Sequence, residues 1–144
     1  AYSRSYQYLL HTSKNPFLQG FSYFFWQELD VEKMNEAAEY LMGTHDFQCF
    51  SKANTDVKHY LCNITEANWQ QQKNELVFNI TANRFLRGMV RAVVGTLLEV
   101  GKGNMNPAEM KNIINSRDRS NAGKSAPACG LYLTNVNYPL EIYL

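Results

Sequence analysis

At 144 residues, with 45% hydrophobic and 19% charged side chains, the chain has the size of one globular domain with a sizeable core. A net charge of +1 excludes a uniformly basic nucleic-acid binder, yet residues 83–125 hold eight Lys/Arg against three Asp/Glu, and that local +5 leaves −4 for the rest. Cys49, Cys62 and Cys129 form no C-x-x-C pair and no cluster with His11, His45 or His59, which argues against a metal site or a disulfide framework and fits a reducing cytoplasm. No apolar run approaches the ~20 residues of a membrane span, so no membrane partner is expected.

Strand-like sequence begins at Tyr2 with no signal-peptide pattern and no initiator methionine, so the chain reads as a piece that starts inside a longer protein. Tyr2, Arg4, Tyr6, Tyr8 and Leu10 alternate with Ser3, Ser5, Gln7 and Leu9, a strand with an aromatic face whose Arg4 belongs near the end. His11 to Gly20 is turn-rich through Asn15-Pro16, and Phe21 to Trp26 reads as a short aromatic strand. Asp30 caps a predicted helix, Val31 to Met42, with Met34, Ala37, Ala38 and Leu41 on one stripe and Gly43 as its stop.

In Thr44 to Ser51 the pair His45 and Asp46 suggests acid–base chemistry, but a hydrolase built on it needs a nucleophile that the sequence does not supply. The bland alternative makes Asp46 a loop-amide acceptor and Phe47 and Phe50 core plugs. Ala53 to Lys58 is a polar loop. Tyr60 to Trp69 and Leu76 to Ala82 form a predicted hairpin through Gln70 to Glu75, with Leu76, Phe78, Ile80 and Ala82 facing the core and Asn79 and Thr81 facing away.

The longest periodic apolar run, NRFLRGMVRAVVGTLLEVGKG at 83–103, predicts a mostly buried helix with Asn83 as N-cap and Gly101 as stop. Arg84, Arg87 and Arg91 share its narrow face, with Gly88 and Gly95 one turn to either side of Arg91. Each helical glycine costs roughly 1 kcal/mol relative to alanine, so two on one face predict a close approach to the backbone. A solvated edge with packing glycines and an anion or nucleic-acid site both fit. Asn106-Pro107-Ala108-Glu109 starts a short helix with Met110, Ile113 and Ile114 as its stripe. Ser116 to Gly130 is a loop long enough to imply a function, and its Gly-Lys-Ser lacks the flanking glycine and strand of a P-loop. Leu131 to Tyr138 is the last strand. The order predicts one α+β domain over 1–144, a largely antiparallel sheet backed by helices on one face.

RSYQY at 4–8, MNEAAEYLMGTHDFQCF at 34–50, FLRGMVRAVVGTLLEVGKG at 85–103, DRSNAGKSAPACGLYL at 118–133 and V-x-Y-P at 136–139 resemble, over nearly the whole chain, the C-terminal half of the tRNA pseudouridine synthase A family. The resemblance implies conversion of uridine to pseudouridine in the tRNA anticodon arm, no metal or organic cofactor, and a homodimer. It also implies an aspartate nucleophile in an R-T-D-x-G-V-H motif of the N-terminal half; this sequence has no such motif, so the isolated chain is expected to be inactive. By the same resemblance Tyr6 packs on the target uracil and assists proton removal, Arg91 pairs with the catalytic aspartate, and Leu131 and Leu133 form the apolar wall of the base pocket. Gln7 and Ala92 depart from the arginine and asparagine common in the family, and Gln7 weakens any phosphate contact there. Arg84, Arg87, Lys102, Arg117, Arg119 and Lys124 become candidates for RNA-backbone contact. The alternative is a non-catalytic RNA-binding or assembly module on the same scaffold.

Overall fold

The computed structural model describes residues 3–14, 20–52 and 57–137. Tyr2, the Asn15-Pro16 turn, part of the polar loop at 53–56 and Tyr138-Pro139 lie outside them. The α+β expectation holds: six strands and three helices share one core.

The sheet is built outward from β1, Ser3–His11, which pairs antiparallel with β5, Glu75–Ala82, on one side. β5 pairs with β4, Leu61–Gln72, and β4 with a four-residue edge strand, β3, Gly43–Asp46. On the other side of β1 two short strands lie end to end: β6, Leu131–Asn137, antiparallel along Ser3 to Tyr8, and β2, Tyr23–Phe24, parallel along Leu10 and His11. The predicted strand at Phe21 to Trp26 shrinks to these two residues; Phe25 N still donates to His11 O at 3.0 Å, and Trp26 beyond it is exposed.

Period-2 alternation decides the faces. Tyr8, Leu10, Leu76, Phe78, Ile80, Ile64 and Trp69 are buried on one face. Polar pairs occupy the other, with Ser5 Oγ 2.7 Å from Thr81 Oγ1 and Gln7 Nε2 donating to Asn79 Oδ1 at 2.9 Å. Helix α1, Val31–Glu39, is capped by the Asp30 carboxylate, which accepts from Lys33 N, and buries the predicted stripe of Met34, Ala37 and Ala38. It docks on β4 where β3 no longer covers that strand: Asn35 Nδ2 donates to Trp69 O at 3.2 Å and its Oδ1 accepts from Trp69 N at 2.7 Å. Phe47 and Phe50 are fully buried plugs as predicted, and Asp46 Oδ1 accepts from Gln48 N, the loop-amide role.

The arginine helix is shorter than its pattern. Helix α2 runs Met89–Gly101, and Gly88 enters it in the left-handed region at φ +73°, a conformation that glycine adopts without Cβ strain. Residues Asn83 to Arg87 are therefore not helical. Asn83 instead extends the sheet contact, its N–H donating to Asn63 O and its side-chain oxygen accepting from Asn63 N. The helix also continues through Gly101, and the positive-φ stop is Gly103 at +87°. Eleven residues of α2 are buried. At ~1.5–3 kcal/mol for each large apolar side chain, that burial outweighs the ~1 kcal/mol cost of Gly95 many times over. Helix α3, Glu109–Ser116, buries Met110, Ile113 and Ile114 but begins after the Pro107-Ala108 turn. None of these helices is long and apolar enough to cross a membrane.

Candidate functional site

The site is assembled on a seam between α2 and the segment that follows α3. That segment, predicted as a long loop, carries two single-turn 3-10 helices, Arg119–Asn121 and Ala128–Gly130, and its middle lies flat on the α2 backbone. A methyl group on Gly95 would fall 1.8 Å from the Lys124 carbonyl oxygen, and one on Gly123 would fall 2.9 Å from Gly95 O. Only a glycine facing a glycine lets the two main chains come this close. The predicted close approach at Gly95 is thus real, and what approaches is the protein's own backbone. Thr96, fully buried, ties the seam: its hydroxyl donates to Ala92 O at 2.8 Å and accepts from Gly123 N at 2.8 Å.

Arg91 is fixed by the same segment through a reciprocal pair, its Nε donating to Ala126 O at 2.7 Å while its carbonyl accepts from Ala126 N at 2.9 Å. Among the described residues no other acceptor takes its guanidinium, so the two terminal nitrogens keep their donors available. One residue further on, Pro127 O accepts from the phenol of Tyr8. Tyr8 is fully buried, and burial pushes its phenol well above the usual tyrosine range, with the nearby Arg91 charge acting in the opposite direction. It stays a neutral donor at any ordinary pH. Tyr8 and Arg91 thus sit on consecutive carbonyls of one loop.

Strand register brings the other candidates alongside. Tyr6 lies two residues before Tyr8 on the same face of β1; Leu133 stands opposite Tyr6 and Leu131 opposite Tyr8. A bulge makes this possible: between Ser5 and Tyr6 the partner jumps from Asn135 to Leu133, and the skipped Thr134 donates its hydroxyl to Ser5 O at 3.1 Å. Tyr6 is half-buried, edge-on to Phe85 with ring centroids 5.0 Å apart, and Leu133 is 53% exposed. A half-buried phenol ring thus lies on the strand next to an exposed leucine.

The six candidate cations separate into two groups. Arg84 donates to His59 O and Leu61 O, both at 3.0 Å, Lys102 pairs with Glu99 at 2.8 Å, and Arg119 donates to Gly123 O at 2.9 Å and Ser125 Oγ at 3.0 Å. Those three serve the protein's own structure. Arg87 and Lys124 are exposed, and exposed Arg117 lies 3.8 Å from Asp46 across a loose ion pair. His45 Nε2 contacts Met42 O at 2.8 Å, so neither it nor Asp46 forms a catalytic dyad. Sequence reasoning missed Tyr8 and Thr96; the signal was present as a second tyrosine at period 2 and a threonine directly after Gly95.

The family model described as tRNA pseudouridine synthase matches residues 37–139. This chain belongs to that family. It is 51% identical to the tRNA pseudouridine synthase A of Porphyromonas gingivalis over its whole length, covering 58% of that protein. With the Bacteroides thetaiotaomicron enzyme of the same name it shares 47% identity, covering 99% of this chain and 54% of the relative. With that of Bacillus subtilis it shares 41%, covering 96% of this chain and 57% of the relative. The chain therefore spans a little over half the length of the curated relatives it matches.

Proposed function

We propose that the protein containing this chain isomerises uridine to pseudouridine in the anticodon arm of tRNA, and that this chain supplies half of the cleft. In that reaction the C1′–N1 bond breaks and a C1′–C5 bond forms, C5 gives up a proton and N1 gains one, so neither metal nor organic cofactor is needed. The nucleophile is an aspartate from the remaining part of the protein. Held in an apolar pocket, such a carboxylate must stay ionised, and a fixed guanidinium offsets its desolvation. The observation that carries the reading is Arg91: its Nε is spent on Ala126 O, which leaves the two terminal nitrogens as a rigid fork for a carboxylate. Tyr6 packs on the flipped uracil and assists removal of the C5 proton, and Leu131 and Leu133 replace the stacking that the base loses. Of the six candidate cations, the exposed Arg87, Arg117 and Lys124 form the basic surface toward RNA, while Arg84, Lys102 and Arg119, tied into the fold, contribute fixed charge. The reading includes a cytoplasmic homodimer, on the strength of the family resemblance.

The test is Arg91→Lys in the full-length protein, assayed by single-turnover pseudouridine formation with saturating tRNA. An ammonium keeps the charge but cannot reproduce both the Ala126 bond and a two-pronged grip, so the rate should fall by at least ~100-fold. A rate equal to the parent's would reduce Arg91 to a structural tie.

A further inference from the structure

A cleft of about 440 Å³ opens beside the 3-10 turn at Arg119–Asn121, lined by Lys52, Arg117 and Arg119 together with Tyr60, Gln48 and Asp118. Three cationic side chains and one carboxylate line it. The Asp118 carboxylate is turned to its own loop, where Oδ1 accepts from Ser120 N at 2.9 Å and from Ser120 Oγ at 2.7 Å. Arg119 is fastened to Gly123 and Ser125 and forms a fixed positive wall. Tyr60 and Gln48 add neutral donors, and the volume far exceeds the ~30 Å³ share of one water.

Arg117 is the adjustable member. It caps α3 in the left-handed region at φ +54°, a position where glycine is the least strained residue. Its Nε is 3.8 Å from Asp46 Oδ2, beyond hydrogen-bond distance. It lines both this cleft and the smaller one that holds His45 and Asp46. A strained arginine in loose contact with a carboxylate on one side, with a basic cleft on the other, is placed to exchange one oxyanion for another.

We propose that this cleft binds a phosphodiester of the RNA strand, and that Arg117 leaves Asp46 to do so. The inference rests on the catalytic reading above and deepens it, because one segment joins the two places: Arg119 lines the cleft, and seven residues later Ala126 holds Arg91. In this proposal the strand whose base enters the Tyr6 site is also gripped at a phosphate by Lys52, Arg117 and the fixed charge of Arg119.

The experiment measures binding of an unmodified anticodon stem-loop RNA to the full-length protein across a salt series. Arg117→Gly should melt at a higher temperature than the parent, because the left-handed position is relieved, and yet bind RNA several-fold more weakly. Its slope of log affinity against log salt should be shallower by about 0.7–0.9, one lost phosphate contact. Lys52→Ala should flatten the slope similarly. Asp46→Asn keeps the side-chain oxygen for Gln48 N and removes the competing charge, so it should bind RNA more tightly. Unchanged slopes in both Arg117→Gly and Lys52→Ala, or weaker binding by Asp46→Asn, overturn the proposal. If millimolar inorganic phosphate raises the parent's melting temperature but not that of Lys52→Ala, while the RNA slopes stay unchanged, the cleft takes free phosphate and the RNA assignment falls. Pseudouridine is assayed in the same samples: responsive slopes without product sink the catalytic reading alone, and product with unresponsive slopes sinks the cleft alone.

Discussion

Arg91 and Arg117 flank one stretch of chain and are held in opposite ways. Around Arg91 the holding groups are main-chain amides and carbonyls, with Gly95 and Gly123 back to back, Thr96 between them, and Ala126 in a reciprocal pair. Around Arg117 the side-chain partner is the half-buried Asp46 carboxylate, 3.8 Å away and beyond hydrogen-bond reach. A backbone seam has one arrangement and cannot be adjusted without unseating the loop, which suits the fixed carboxylate contact proposed for Arg91. A rim of long side chains adapts, which suits phosphates that vary in position from one RNA to another.

The hardest blow to that contrast is Gly95→Ala. Its methyl would fall on the Lys124 carbonyl, so the loop must lift, and we expect a loss of roughly 3 kcal/mol in urea unfolding together with loss of activity, because Arg91 loses its anchor. Parental stability would mean that the seam is softer than its geometry. Thr96→Val is gentler: shape is kept, but Gly123 N–H loses its acceptor, which should cost about 1–2 kcal/mol and speed amide exchange at Gly123. Arg119→Ala sharpens the comparison by sign. Losing its bonds to Gly123 and Ser125 should lower stability by about 1 kcal/mol, whereas Arg117→Gly should raise it, although both flatten the salt dependence of RNA binding.

The smallest effect concerns Glu99, whose carboxyl is held below its ordinary 4.5 by bonds from Lys102 and Asn104. A depressed carboxylate stabilises the fold above its unfolded value, and the contribution disappears as the pH falls through the folded one. Glu99→Gln should therefore cost only ~0.3 kcal/mol at neutral pH, screened by salt, and nothing once the pH is well below 4.5. Denaturation midpoints at the two pH values check this.

Where one local signal acts alone, the sequence was readable. Alternation in β5 placed Leu76, Phe78, Ile80 and Ala82 inward, the stripes of α1 and α3 are buried as read, and Phe47 and Phe50 plug the core. It misled where a long-range bond outcompeted periodicity. Asn83 to Arg87 carry helical spacing, but the Asn83 bonds to Asn63 and the left-handed Gly88 draw them into a connection. β3 was invisible because four polar residues at an edge have no alternation of burial to display. Most of the site lies in this second category. Tyr6, Leu131 and Leu133 were nominated only through the family's motifs, Arg91 by those motifs and by its flanking glycines, and the seam that positions Arg91 depends on contacts between residues more than twenty apart, such as Gly123 with Thr96.

Pairing of β6 with β1 has a kinetic meaning. Asn137 and Ser3 bond across 134 residues, and closing a loop of that length costs about 4 kcal/mol of chain entropy before any contact rewards it. The pairing of β1 with β5 spans a shorter stretch and shares the cost, so β6 adds to an edge that already exists. Leu131 and Leu133 therefore reach Tyr8 and Tyr6 in the last steps of folding. A chain emerging from the ribosome has the sequence of its arginine helix long before its final strand, so the base slot proposed for Tyr6, Leu131 and Leu133 would be the last part of the fold to form.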